Sequence, residues 1–476
     1  MMSLDAAQTP VHQTPAPQPP DPQIPAILDR LRAAFDSGLT RDLAWRRAQL
    51  AALKRMMVEN EAEIASALKA DLGKPFAEAC TAEIDLVSSE AALARKHLGR
   101  WSRPQRTRTP LAIQPGKSFI ESAPYGVTLI IGAWNYPFQL VLAPLVGAIA
   151  AGNCAVIKPS EMAVQSSALL KRLVERYLDP RAFAVVEGDA AVSTALLDQR
   201  FDLIFYTGGE RVGRIVMAAA ARHLTPVVLE LGGQNPCIVD ETADLTVAAR
   251  RIVWGRFLNA GQICVAPDHV YVAASVEARL LEELKRAVTA MFGPDPRQSA
   301  DYGRIINARH AARLQSLLAD GRAVTGGQAD VDACYVAPTI LTDVAADAPV
   351  LAEEIFGPIL PVLPYQTLDE PLAAINARAP ALALYAFTRN KATADRIIAA
   401  TRSGSATIND AVIFMANPNL PFGGVGASGM GAYHGRYSFE AFSHRRAVLK
   451  RGFALDASIR YPPFTPGKLA LFRRMA

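Results

Sequence analysis

Three side chains far apart in the chain have types and settings that suit covalent chemistry at a carbonyl: a thiol, a carboxylate and an amide. Cys264 closes the run Phe257-Leu-Asn-Ala-Gly-Gln-Ile-Cys264. It sits beyond an apolar helix-like stretch, after a Gly-Gln pair that lets backbone come close to a ligand. It can be an attacking thiolate, or the inert buried thiol that a lone cysteine usually is. Glu230, in Val228-Leu-Glu-Leu-Gly-Gly233, follows an apolar strand and precedes two glycines, so its carboxylate should emerge at a strand end. Burial there would raise its pKa and suit it to general-base work; the alternative is an ordinary loop or helix-start carboxylate. Asn135 lies among aromatics in Gly132-Ala-Trp-Asn-Tyr-Pro-Phe138, where its amide is either an oxyanion donor or a turn asparagine.

Two further strand ends carry groups suited to a nucleotide. Lys158 and Glu161 in Val156-Ile-Lys-Pro-Ser-Glu161 can hydrogen-bond ribose hydroxyls or remain solvated loop charges. Tyr206-Thr-Gly208-Gly-Glu-Arg-Val-Gly213 is a glycine-bearing turn between strand and helix, where a pyrophosphate can dock. Gly424-Val-Gly-Ala-Ser-Gly429 matches a dinucleotide fingerprint literally, but no strand leads in and no βαβ unit follows. It reads as a flexible loop.

The elements that must position these groups follow from hydrophobic periodicity. Residues 24–99 read as helical throughout, and 102–116 as a basic, proline-bearing connection, with a strand at 118–122. Short apolar strands at 127–131, 154–157, 184–186, 203–206 and 227–229 alternate with helical stretches at 140–151, 164–177, 190–197 and 211–221. Such alternation predicts a parallel sheet covered on both faces, with ligands at the carboxyl ends of its strands. A second α/β segment follows Leu231, with helices at 246–258 and 276–291 and strands at 269–272, 359–364 and 383–387.

Composition narrows the class. At 476 residues, half hydrophobic and one-fifth charged, the chain is long enough for two or three domains of a soluble globular protein. A net charge of +5 is small for this length, and the basic cluster from Arg445 to Arg474 lacks aromatic stacking platforms, so it reads as a solvated tail and not a nucleic-acid surface. Five scattered cysteines, with no paired or Cys/His ligand spacing, predict free thiols in a reducing compartment and no metal site. The first 25 residues hold seven prolines and no Lys or Arg, which reads as an extended, disordered segment and not a targeting signal. The longest apolar stretch, Phe138 to Ala151, is too short to span a bilayer, so a cytoplasmic enzyme without an integral membrane segment is expected.

Taken together, these segments closely resemble the aldehyde dehydrogenase superfamily over about residues 25 to 450. LELGG at Glu230 and FLNAGQIC at Cys264 look like its two active-site signatures; GAWNYPF, IKPSE and EEIFGP (Glu353 to Pro358) are similar to further blocks in the family's order. The stretch from Pro421 to Arg446, PFGGVGASGMGAYHGRYSFEAFSHRR, resembles the class 3 branch, which includes fatty, aromatic and coniferyl aldehyde enzymes. The resemblance implies an α/β fold with a Rossmann-like cofactor domain (24–103 and 127–230), a catalytic domain (231–415) and a small bridging β element for oligomerisation (104–126 and 416–445). A disordered tail (1–23) and a basic tail (446–476) would flank these. It implies that Cys264 attacks an aldehyde, that Asn135 and the Cys264 backbone N–H hold the oxyanion, and that Glu230 activates the water that hydrolyses the thioester. Lys158 and Glu161 would approach the adenosine ribose, Gly208 the pyrophosphate, and Glu354 with Phe356 the nicotinamide ribose and ring. The cofactor implied is NAD, with NADP admitted, the substrate a medium- or long-chain aliphatic or aromatic aldehyde, and the assembly a homodimer.

Two rivals use the same thiol. A CoA-acylating dehydrogenase would pass the acyl group to CoA, and the retained Glu230 argues for water. A thiol esterase would need a histidine partner that the sequence does not place. Two residues depart from the family pattern: Glu210, whose charge would repel a pyrophosphate unless it points to solvent, and Gln234, where lysine is usual, which removes a positive charge. The end of the chain lacks a long apolar anchor, and Leu469-Ala-Leu-Phe472 buries too little for stable membrane attachment.

Overall fold

The structure, a computed structural model, describes residues 23–454 and 456–475. The proline-rich segment expected to be extended therefore lies outside the described residues, except Gln23, Ile24 and Pro25, which are not extended but open the first helix, Gln23–Asp36.

Helices fill the N-terminal part as their periodicity requires: Leu43–Glu59, Glu61–Leu72 and Asp85–Trp101 follow the first. The Asp42 carboxylate caps Leu43–Glu59 by accepting the N–H groups of Ala44 (3.0 Å) and Trp45 (3.2 Å), which the helix itself cannot satisfy.

Strands Val127–Ile131, Cys154–Lys158, Phe183–Val185, Leu203–Thr207 and Val227–Glu230 pair in parallel within a six-stranded sheet. Val127–Ile131 lies centrally, with later strands added first on one side and then on the other. The order reverses between Val127–Ile131 and Leu203–Thr207, and in open α/β sheets that reversal opens a crevice at the strands' carboxyl ends. Nearly every residue of these strands is buried, the reason they read as continuous apolar runs. Helix Gln139–Ala151 is buried on every side, as its unbroken apolar sequence demands.

The sixth strand, Gly429–Met430, is antiparallel and pairs Gly429 with Glu230 and Met430 with Leu229. The stretch expected to be a flexible loop is thus hydrogen-bonded to the sheet edge. Its small side chains matter because they let backbone pack on backbone, which no local pattern in the sequence reports.

A second, seven-stranded sheet runs in the order Arg322–Thr325, Thr339–Thr342, Ile359–Tyr365, His269–Ala273, Pro236–Val239, Ala381–Phe387 and Ser403–Ile408, all parallel except the first. A third, antiparallel sheet joins Gln105–Thr107, Gly116–Pro124 and Ser443–Arg451. The basic cluster read as a solvated tail therefore begins inside an element: Arg445, Arg446, Lys450 and Arg451 are exposed on this last strand, and Arg446 pairs with Glu121 across the sheet at 2.5 Å.

Candidate active site

The Cys264 loop joins the helix Leu245–Phe257 to the second sheet through a tight turn in which three consecutive residues, Asn259, Ala260 and Gly261, have left-handed φ of 50°, 51° and 75°. Left-handed backbone costs a non-glycine residue about 1–3 kcal/mol and persists only where the surroundings over-determine it. They do so here. The Asn259 N–H donates to Glu78 at 2.9 Å and its side-chain amide to the Asn135 carbonyl at 2.9 Å. Gln262 donates to the carbonyls of Asn259 (2.9 Å) and Arg304 (3.0 Å) and accepts the Ile306 N–H. At Gly261 any Cβ would strike the Gly357 carbonyl, so this position needs glycine for both angle and space.

Beyond the thiol the loop is held equally firmly. Asn235 donates to the carbonyls of Cys264 (2.7 Å) and Ala266 (3.0 Å) while accepting the Ala383 N–H (2.8 Å), and the Tyr385 hydroxyl donates to the Val265 carbonyl at 2.5 Å. Cys264 itself is only partly covered. Desolvation first, then the carboxylates of Glu354 and Glu230, push its thiol well above the usual range; its own backbone N–H and that of Val265 pull the other way.

Glu230 ends the strand Val227–Glu230 and is buried, and neither of its carboxylate oxygens has a hydrogen-bond partner. Desolvation alone holds its pKa well above the ordinary carboxylate value. Glu354 is half-buried; desolvation raises it well above the ordinary carboxylate value, the Gly233 N–H pulls the other way, and its Oε1 is unpartnered. A Cβ at Gly232 would collide with the Glu354 carboxylate, which explains the glycine two residues after Glu230. The buried Arg256–Asp268 pair, 3.3 Å apart, steadies this side, since Asp268 also accepts the Ile355 N–H at 3.1 Å, between Glu354 and Phe356.

Asn135 is buried in the turn after the central strand, and its side-chain amide donates to the Gln262 carbonyl at 2.9 Å, two residues before the thiol. An amide nitrogen carries two hydrogens, so one N–H remains for a ligand. The thiol, both carboxylates and this amide therefore converge, drawn together from four separate segments between Asn135 and Glu354.

Of the residues expected to meet a nucleotide, Lys158 and Gly208 stand at the carboxyl ends of first-sheet strands. Lys158 is buried, donates to the Pro159 carbonyl at 2.8 Å and lies 3.5 Å from the exposed Glu161. Gly208 donates its N–H to the Glu230 carbonyl at 3.0 Å and precedes the helix Glu210–Ala221. Phe356, itself left-handed at φ 46°, meets Trp134 edge-to-face at 5.3 Å in a small apolar cluster with Leu72, Met162, Ala163 and Ile306. Glu210 turns outward to Arg214 at 2.5 Å, so its charge is compensated along its own helix. Gln234 accepts from Arg378 at 3.0 Å, which puts a guanidinium beside the position that lost its lysine charge.

The residues that sequence reading missed are the supports: Asn235, Asn259, Gln262, Lys74 and Glu83. The first three sit within or beside the two recognised segments, and their density of amides was a usable signal. Lys74 and Glu83 lie in a helical region with nothing local to mark them.

With this geometry in view, comparison with known proteins is decisive. An aldehyde dehydrogenase family model matches residues 7–448. The chain belongs to the aldehyde dehydrogenase family. It is 46% identical over 454 residues to aldehyde dehydrogenase family 3 member H1 of Arabidopsis thaliana, covering 94% of each chain. It is 47% identical to the dimeric NADP-preferring aldehyde dehydrogenase of Rattus norvegicus, covering 92% of this chain and 97% of that one. Its fold superposes on AldH of Staphylococcus aureus, solved in a substrate-bound state, with a TM-score of 0.93 and 43% identity over 95% of this chain and 99% of that one. As an aldehyde dehydrogenase with family 3 relatives, the protein is an enzyme that oxidises aldehydes to carboxylic acids with NAD or NADP. Among the described residues, no helix is long and apolar enough to cross a membrane.

Proposed function

We infer that oxidation proceeds through a thioester on Cys264, with Asn135 holding the oxyanion and Glu230 serving as the hydrolytic base. One observation carries this reading: the half-buried Cys264 lies within electrostatic reach of Glu230 and Glu354, whose carboxylates keep unpartnered oxygens.

The thiol attacks the aldehyde carbon as thiolate, and its proton passes to Glu230 or to water. The oxygen that becomes negative takes the free N–H of Asn135 and the backbone N–H of Cys264, donors already in place before charge develops. When bound, the nicotinamide cofactor accepts the hydride that leaves the thiohemiacetal. Glu230 then takes a proton from water as that water attacks the thioester, and the Cys264 thiolate departs, releasing the acid. A raised pKa makes Glu230 a stronger base once ionised.

For the cofactor, Lys158 and Glu161 would meet the adenosine ribose, the Gly208 turn the pyrophosphate, and Glu354 with Phe356 the nicotinamide ribose and ring. The unpartnered Glu354 oxygen and the reversal in strand order fit that assignment. Glu161 favours NAD and the neighbouring Lys158 softens the bias against NADP. The substrate class is medium- or long-chain aliphatic or aromatic aldehydes. A homodimer is supported by the rat relative's name and by the exposed strand Ser443–Arg451 at the edge of the third sheet. Five free cysteines fit a cytoplasmic enzyme.

Cys264→Ala tests the reading: aldehyde-dependent NADH formation should fall by about 10⁴-fold or more. Turnover within tenfold of wild type would remove the thiol from the mechanism.

A further inference from the structure

We propose that the buried Lys74–Glu83 ion pair is a positioning device for Asn135, setting where its amide meets the oxyanion. The inference rests on the reading of Asn135 given above.

Both side chains are fully buried and 2.5 Å apart. An ion pair this deep gains little net stability over well-packed apolar residues, because desolvation offsets the attraction. What distinguishes this pair is where its remaining bonds go. The Lys74 ammonium donates to the Asn135 carbonyl at 2.9 Å and lies 4.0 Å over the Tyr136 ring. The second Glu83 oxygen accepts the N–H groups of Phe138 (3.0 Å) and Gln139 (3.1 Å), where helix Gln139–Ala151 begins. Lysine thus grips the turn before Pro137 and glutamate grips it after.

Glu83 reaches that helix start from an unusual place, a π-helical turn at Ala79–Ile84. Wide turns of this kind are rare and tend to occur at functional sites. The Asn135 side chain has few restraints of its own: one hydrogen bond to Gln262, and an Oδ1 without a partner. Its aim therefore depends on its backbone, and the backbone carbonyl is clamped from two sides, by Lys74 and by Asn259. Asn259 belongs to the Cys264 loop, so the same carbonyl registers the amide against the thiol.

The test is a double-mutant cycle in the full-length enzyme, using benzaldehyde and NAD and reading the rate of the first-turnover NADH burst. Lys74→Met should slow the burst about 10- to 100-fold, the cost expected of roughly 1 Å of misplacement. Benzaldehyde KM should change less than about threefold, since only the transition-state contact is lost. Cys264 alkylation by iodoacetamide should slow far less than the burst, because Asn235 and Tyr385 hold the thiol loop independently of Lys74. In an Asn135→Ala background Lys74→Met should add almost nothing, since the amide it aims is gone. Equal losses in both backgrounds, or no loss in either, would overturn the proposal. If Asn135→Ala itself leaves the burst intact, the oxyanion assignment fails first and takes this inference with it. Should Lys74→Met not fold, Glu83→Gln in the same two backgrounds gives the same readout.

Discussion

The two halves of the cleft are built on opposite terms. On the thiol side, Asn235, Asn259, Gln262 and Tyr385 saturate the Cys264 loop with hydrogen bonds and hold three left-handed residues in place. On the carboxylate side, Glu230 is buried with both oxygens unpartnered and the half-buried Glu354 leaves Oε1 unpartnered. A buried polar group normally finds a partner, and leaving one without costs about 1–3 kcal/mol. On the proposed mechanism the contrast separates two requirements of covalent catalysis: the nucleophile must be held in place, while the base must be kept unsatisfied and ready for a proton.

Breaking the unsatisfied half should have the largest effect. Glu230→Gln keeps size and burial but removes the base, so steady-state turnover should fall about 10²–10⁴-fold while the NADH burst persists. The pH profile adds a sign. A carboxyl with a raised pKa is protonated and idle at low pH, so wild-type turnover should climb as pH rises through that titration, and Glu230→Gln should lose this limb. A variant that retained the limb would assign it to another group.

Breaking the saturated half should cost stability as well as rate. Asn235→Ala orphans the carbonyls of Cys264 and Ala266 and the N–H of Ala383. A loss of about 2–4 kcal/mol by chemical denaturation is expected, with roughly a tenfold fall in the burst rate. Loss of stability alone, with the burst intact, would mean that the loop holds its shape without this support.

The smallest effect is expected outside both halves. Glu210 is about half exposed and paired with Arg214. Glu210→Gln should therefore change NAD KM by less than about twofold and stability by no more than ~0.5 kcal/mol. A large fall in KM would mean that this carboxylate does oppose the pyrophosphate.

The strands of the first sheet were legible because burial on both faces demands unbroken apolar runs, and Val127–Ile131 appears with the bounds that its hydrophobicity drew. Glu230 and Asn135 were legible as candidates because each ends or follows such a strand, and Cys264 because it follows an apolar helix. The stretch Gly424–Gly429 was misjudged as a flexible loop, since the pairing partner of Gly429 is Glu230, about 200 residues earlier.

What the sequence determined by itself is thus the set of reactive groups and the elements that carry them, because side-chain chemistry and hydrophobic periodicity are local properties. Only the tertiary structure decided that both Glu230 oxygens and one Glu354 oxygen stay unpartnered, and that Lys74 and Glu83 reach the Asn135 turn. Partners and desolvation depend on which segments meet. The Lys74–Asn135 and Glu83–Phe138 meetings join residues more than 50 positions apart, beyond the reach of any local pattern, whereas Glu210 and Arg214 are one helical turn apart and their pairing could have been read from the sequence.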